Sequence, residues 1–107
     1  MKETLEELVK KFNEREDPRK DKVRDLKRSI MIKFTDNGIY HLYLEHATLS
    51  DIEEGEIEAD IIVETDTKTF MDILNKKEDA LTAYITKKIR IKAKLMDKLL
   101  LSELLRG

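Results

Sequence analysis

A chain of 107 residues, 40% apolar and 41% charged, has the size of one domain with one modest core, burying about two thirds of its unfolded surface. Twenty-one Lys and Arg against twenty-three Asp and Glu leave a net charge of -2, which excludes the global positive field of a generic nucleic-acid binder. The absence of cysteine excludes disulfides, thiolate nucleophiles and Cys-ligated metal or cluster sites.

No apolar run approaches the roughly 20 residues that cross a bilayer, and the opening MKETLEELVKKF lacks the apolar stretch of a signal peptide, so a cytoplasmic protein is expected. Lys, Glu and Ile are abundant while Gln and Trp are absent, a bias shared with proteins of hot environments. One proline and three glycines leave no linker, and residues 1–107 read as a single domain.

In chain order, Thr4 and Glu7 have capping-box spacing, followed by Leu5, Leu8, Val9 and Phe12 on one helical face. Residues 14–28 are charged on both sides of Pro18, with Val23 and Leu26 as the anchors of a short helix or turn. The period then changes to two: Ile30, Ile32 and Phe34, then Tyr40, Leu42 and Leu44, predict a hairpin. A three-residue loop Asp36-Asn37-Gly38 pairs Phe34 with Tyr40 and keeps both apolar rows on one face, with Gly38 left-handed.

Thr48 to Glu53 predicts a third strand, and Ile57, Ala59, Ile61 and Val63 a fourth. Asp66 or Thr67 caps a helix carrying Phe70, Met71, Ile73 and Leu74, and another helical stretch from Glu78 carries Leu81, Tyr84 and Ile85. A fifth strand turns Ile89, Ile91 and Ala93 inward and Lys88, Arg90 and Lys92 outward, opposite the carboxylates of the fourth. A helix between neighbouring strands predicts a parallel crossover, and the outward charges predict a sheet wet on one face with its helices on the other.

The last segment has Leu95, Met96, Leu99, Leu100, Leu101, Leu104 and Leu105 spread well beyond the roughly 100° stripe of a surface helix. A second subunit, an apolar ligand or deep burial would each cover it.

From about Val23 onward the chain resembles the sterol carrier protein type-two, or sterol-binding, domain. The resemblance is carried by Ala59-Asp60-Ile61-Ile62-Val63, by Thr69-Phe70-Met71-Asp72-Ile73-Leu74 and by Ala83-Tyr84-Ile85-Thr86-Lys87-Lys88-Ile89-Arg90-Ile91-Lys92. Two glycines usual in the family fall on Lys87 and Ala93 here, at either end of the last strand. The resemblance implies an α/β fold of the α+β type: a five-stranded, mostly antiparallel sheet with a β-α-β crossover, its helices on one face enclosing an apolar tunnel. It also implies a lipid or fatty acyl ligand, a sterol, fatty acid, acyl-CoA or phospholipid in the family, with Phe70, Met71, Leu74, Ala83 and Tyr84 lining the tunnel. The width of the leucine stripe adds Met96, Leu99 and Leu100 to that lining.

The same apolar side chains also serve as ordinary core between helix and sheet. His41 and His46 lack metal-ligand spacing, no serine sits in a nucleophile-elbow context, and no glycine-rich phosphate loop is present, so neither metal, cofactor nor catalysis is expected. Arg19, Lys20, Lys22, Arg24, Lys27 and Arg28 form the candidate for transient contact with acidic headgroups, diluted by Asp21 and Asp25. The acidic run from Asp51 to Asp66 holds eight carboxylates and no base and partners the basic fifth strand. Two functions follow: a small intracellular lipid carrier, or an interaction domain of the same fold with a filled tunnel that dimerises through its leucine-rich helix. A monomer and a homodimer stay equally open, and nucleic acid is not expected as a partner.

Overall fold

In a computed structural model of the chain, residues 1–16 and 18–99 are described, apart from the side chains of Arg19 and Lys22. Helix α1 spans Lys2–Glu14 and buries Leu5, Val9 and Phe12, the face expected from their spacing. It starts two residues before Thr4, with Met1 as N-cap and no side-chain cap, so the expected capping box does not form. A 3-10 turn, Pro18–Val23, leads to the first strand, and Val23 is fully buried beneath it.

Strands β1 (Lys27–Phe34) and β2 (Gly38–Glu45) form the antiparallel hairpin. Its loop has three residues, but the register differs by two from the expected one: Phe34 pairs with Gly38 and Ile32 with Tyr40. A shift of two preserves the face of every side chain, so Phe34 and Tyr40 still meet edge to face, 6.0 Å between ring centroids. Gly38 has φ +92°, a conformation that glycine adopts without a side-chain penalty.

The expected third strand is two short ones, β3 (Thr48–Leu49) and β4 (Glu53–Glu54), both hydrogen-bonded along the free edge of β2. The tight β2–β3 turn has positive φ at both His46 and Ala47, the twist that a two-residue hairpin requires. Asn13 then docks α1 onto β3: its side-chain amide donates to the Leu49 carbonyl at 2.9 Å, and its oxygen accepts the Leu49 N–H at 2.8 Å. An edge that would otherwise invite another strand is thereby blocked by a helix.

Strand β5 (Ile61–Thr65) is shorter than the fourth strand read from sequence, because residues 57–60 are not extended ladder. It lies beside β1 and parallel to it, Ile30 opposite Ile61 and Phe34 opposite Thr65. Helices α2 (Thr67–Leu74) and α3 (Ala80–Ile85) lead to β6 (Arg90–Lys92), which runs antiparallel to β5. The expected parallel crossover between these neighbours is therefore corrected: two helices turn the chain once more than a single crossover helix, so β6 returns in the opposite sense. The parallel pair is β1 with β5, and the strand count is six, in the order β3-β2-β1-β5-β6 with β4 also on β2. The expected charge pairing of the last two strands is present, with Glu64 opposite Arg90 at 3.7 Å.

One core fills the space between the helices and the sheet, joining Leu5, Val9 and Phe12 to Ile30, Phe34, Leu42, Leu44, Ile61, Val63, Phe70 and Ala83. The opposite face is not wet throughout, as the charge pattern had predicted. Met31 (1% exposed) and His41 are buried there under the segment around Gly55. The Ile57 N–H lies 3.4 Å from the Met31 sulfur, and the His41 ring holds the Gly55 carbonyl at 3.0 Å and Glu53 at 3.2 Å. Both ring nitrogens of this buried side chain thus face oxygen atoms within hydrogen-bond distance.

Candidate functional site

The site is set by two capped helices. Asp66 accepts the Thr69 N–H at 2.7 Å and its hydroxyl at 2.9 Å, which starts α2 where the sequence placed the cap. Asp79 does the same for α3 through Thr82, at 3.0 and 3.2 Å. So started, α2 drives Phe70 edge-on against Phe34, 5.2 Å between centroids, and α3 seats the fully buried Ala83 against the sheet. Met71 and Leu74 are half-buried beside them.

The other side of α3 is different. Leu81, Tyr84 and Ile85, at i, i+3 and i+4, share one face and are all exposed, Ile85 at 68%. After β6 the chain turns helical again over residues 95–99, and Leu95, Met96 and Leu99 are exposed at 72, 75 and 55%. The two apolar sets are tied side by side: the Lys98 ammonium donates to the Tyr84 hydroxyl at 3.2 Å and lies 5.7 Å from the ring centroid. On the inner side of the same turn, Asp97 is buried and holds the Arg28 guanidinium, which fixes residues 95–99 to β1.

Of the side chains read as tunnel lining, Phe70 and Ala83 thus lie in the core, Met71 and Leu74 at its margin, and Tyr84, Met96 and Leu99 on the open surface. Leu100 lies outside the described residues. The structure adds Leu81, Ile85 and Leu95 to the exposed set. Their spacing was visible in the sequence, but a six-residue helix with apolar residues all round does not announce which side the sheet takes. The result is an apolar strip bordered by a lysine, whose partly exposed side chains forgo part of the about 1.5 to 3 kcal/mol that full burial of each contributes.

Other candidates meet neighbours within the chain, the side chains of Arg19 and Lys22 lying outside the described residues. In the basic cluster Arg24 pairs with Asp21 at 2.6 Å, Lys27 with Glu45 at 3.9 Å and Arg28 with Asp97, while Lys20 lies over the Phe12 ring. His46 is exposed beside Glu45, and the described residues contain no group of three or more potential metal ligands. A shallow polar recess of about 250 Å³ lined by Thr35, Glu64, Thr65, Asp66, Lys87, Lys88 and Arg90 lies at the end of β5, with mixed charge. Two carboxylates titrate below the usual range, Asp36 because Thr67 donates to it and Asp60 because the Ser29 N–H does, and both are exposed linkers between elements. No described helix is long and apolar enough to cross a membrane.

The sequence profile of the SCP-2 sterol transfer family matches residues 7–106. No curated protein matches the chain. Among solved structures, a crystal structure of sterol carrier protein 2 is 19% identical with a TM-score of 0.68, over 92% of this chain and 88% of that one. A ubiquinone synthesis protein, UbiJ-SCP2, is 12% identical with a TM-score of 0.71, over 97% of this chain and 87% of its own. The inverting sec-alkylsulfatase Pisa1 from Pseudomonas sp. is 20% identical with a TM-score of 0.71 over 95% of this chain, which spans 16% of that enzyme. At these identities the likeness is one of fold.

Proposed function

The chain belongs to the SCP-2 sterol transfer family, and from that membership we propose that it is a lipid carrier without covalent chemistry, seating an apolar ligand against α3 and residues 95–99. The observation that carries the proposal is the exposed strip of Leu81, Tyr84, Ile85, Leu95, Met96 and Leu99, held together by the Lys98–Tyr84 bond. Phe70 and Ala83 lie in the core and Met71 and Leu74 are half-buried, and Leu100 follows Leu99 in sequence. The ligand class is a fatty acyl, isoprenoid or sterol-like molecule.

Burying several hundred Å² of a long chain at about 25 cal/mol per Å² gains several kcal/mol before ordering costs. Native mass spectrometry of the purified protein, followed by organic extraction, tests this. The expected result is one acyl or isoprenoid species in near-stoichiometric amount. The same exposed strip also fits a second reading, an interaction domain that dimerises through it. A ligand-free dimer that takes up no added fatty acid would establish that reading and remove the carrier.

A further inference from the structure

We propose that residues 53–57 form a proton-controlled strap across the outer face of the sheet, held shut when the His41 ring carries its second proton. The strap is built on the middle of β2. Its β4 residues Glu53 and Glu54 pair with His41 and Tyr40, and the Gly55 N–H donates to the Ile39 carbonyl at 2.9 Å. Gly55 has φ +120°, a conformation open to glycine, and its carbonyl lies 3.0 Å from His41 Nδ1. The carboxylate of Glu53 lies 3.2 Å from Nε2 of the same ring. The strap ends where the Ile57 N–H meets the sulfur of Met31, the residue opposite His41 on β1.

The chemistry of the two partners fixes the charge of the ring between them. A carbonyl and an ionised carboxylate only accept hydrogen bonds, and a neutral imidazole has one N–H to donate. Only the imidazolium donates to Gly55 and Glu53 together. When the proton leaves, one nitrogen presents a lone pair to an oxygen. The Glu53 side chain, 69% exposed, then turns to water, while the ring, 10% exposed, stays in place. The groups around the ring favour its charge. Glu53 is in contact with it, Tyr43 on β2 stands edge to face with it at 6.0 Å between centroids, and Glu54 is exposed opposite Tyr40. Lys33, two residues from Met31 on the same face of β1, is already held by Glu56 of the strap at 3.1 Å. Imidazole is the side chain whose ordinary charge change falls between about pH 5 and 8, where a carboxylate such as Glu53 is ionised. Acid therefore closes the strap and base loosens it. Loosening uncovers Met31, 1% exposed, and frees the β2 edge at Tyr40 and His41 that β4 otherwise closes. The strap lies on the sheet face away from the helices, so it is independent of the carrier reading.

Amide hydrogen exchange at residues 53–57, corrected for intrinsic rates and compared at about pH 5.5 and about pH 8, tests the proposal. The Gly55 amide is expected to be protected severalfold more at the acidic value, with the amides of β5 unchanged as the reference. Nitrogen NMR of the His41 ring should show both nitrogens protonated in that closed form. Glu53→Gln isolates the cause, because a carboxamide accepts from a protonated Nε2 and donates to a bare one. Glu53 is exposed, so this variant keeps the fold, and its Gly55 protection should no longer depend on pH. His46→Gln, which alters the other histidine, should keep the dependence of the wild type. Protection independent of pH in the wild type, a dependence that survives in Glu53→Gln, or one lost in His46→Gln would overturn the strap.

Discussion

Arg28 Nε lies 3.1 and 3.2 Å from the two carboxylate oxygens of Asp97, a side chain only 6% exposed, and this pair fastens the helical turn 95–99 to the first residues of β1. A buried carboxylate deprived of its cation costs far more than a neutral amide in the same place. Arg28→Met is therefore expected to lower stability by about 2 to 3 kcal/mol, and Asp97→Asn by about 1 kcal/mol. Urea unfolding at neutral pH measures both, and equal losses would mean that Asp97 is hydrated.

The hairpin loop is joined to α2 by Asp36, whose Oδ1 accepts the Thr67 N–H at 3.0 Å and the Thr67 hydroxyl at 2.8 Å. These bonds hold its pKa below the usual carboxylate value. A depressed folded pKa contributes stability that is complete above the unfolded value, about 3.9, and is lost as pH falls through the folded one. Wild type should exceed Asp36→Asn in urea midpoint at neutral pH, and the gap should close in strong acid. A gap independent of pH would show that the carboxylate charge contributes nothing to the joint.

The alternation of Ile30, Phe34, Tyr40, Leu42 and Leu44 was enough to read the core face of the sheet, and Asp66 the start of α2, because periodicity and capping are local. Which strand neighbours which is not local. Period two says that Ile61 and Val63 face inward but not that β5 lies parallel to β1, nor that the connection to β6 holds two helices. The covering of Met31 and His41 was hidden for the same reason, since the acidic run that holds residues 53–57 reads as the partner of the basic fifth strand, whereas β4 pairs with β2 at the other edge. The apolar membership of the candidate site was legible, and its division between buried Phe70 and Ala83 and exposed Tyr84, Met96 and Leu99 was not.

Helix ends were obscured because the expected glycines are missing. Both α2 and α3 end in a residue with positive φ, Lys76 at +60° and Lys87 at +64°. Lys77 N–H bonds back to the Asp72 carbonyl and Lys76 to Ile73, and Lys88 and Lys87 repeat this with Ala83 and Tyr84, the paired bonds of a Schellman motif. The backbone turn at Lys87, a position where the family usually has glycine, thus persists with a lysine that is strained in it. Lys76→Gly and Lys87→Gly are each expected to raise stability by about 1 kcal/mol, the relief of a left-handed side-chain penalty. Thermal or urea unfolding checks this, and a loss in either variant would place a compensating interaction on that lysine.

Met96 offers the sharpest division between a ligand seat on the open strip and one behind it. It is 75% exposed, so Met96→Glu removes little packing and should change stability by less than about 0.5 kcal/mol. A carboxylate on the strip would have to be desolvated wherever an acyl or isoprenoid chain covers it, at a cost of several kcal/mol that an apolar contact does not repay. Lipid recovered by extraction should therefore fall severalfold in this variant at unchanged urea midpoint. Undiminished lipid in a folded Met96→Glu protein would move the seat inward to Phe70, Met71 and Leu74, and a loss of lipid only in variants of those residues would then mark an enclosed site between α2 and the sheet.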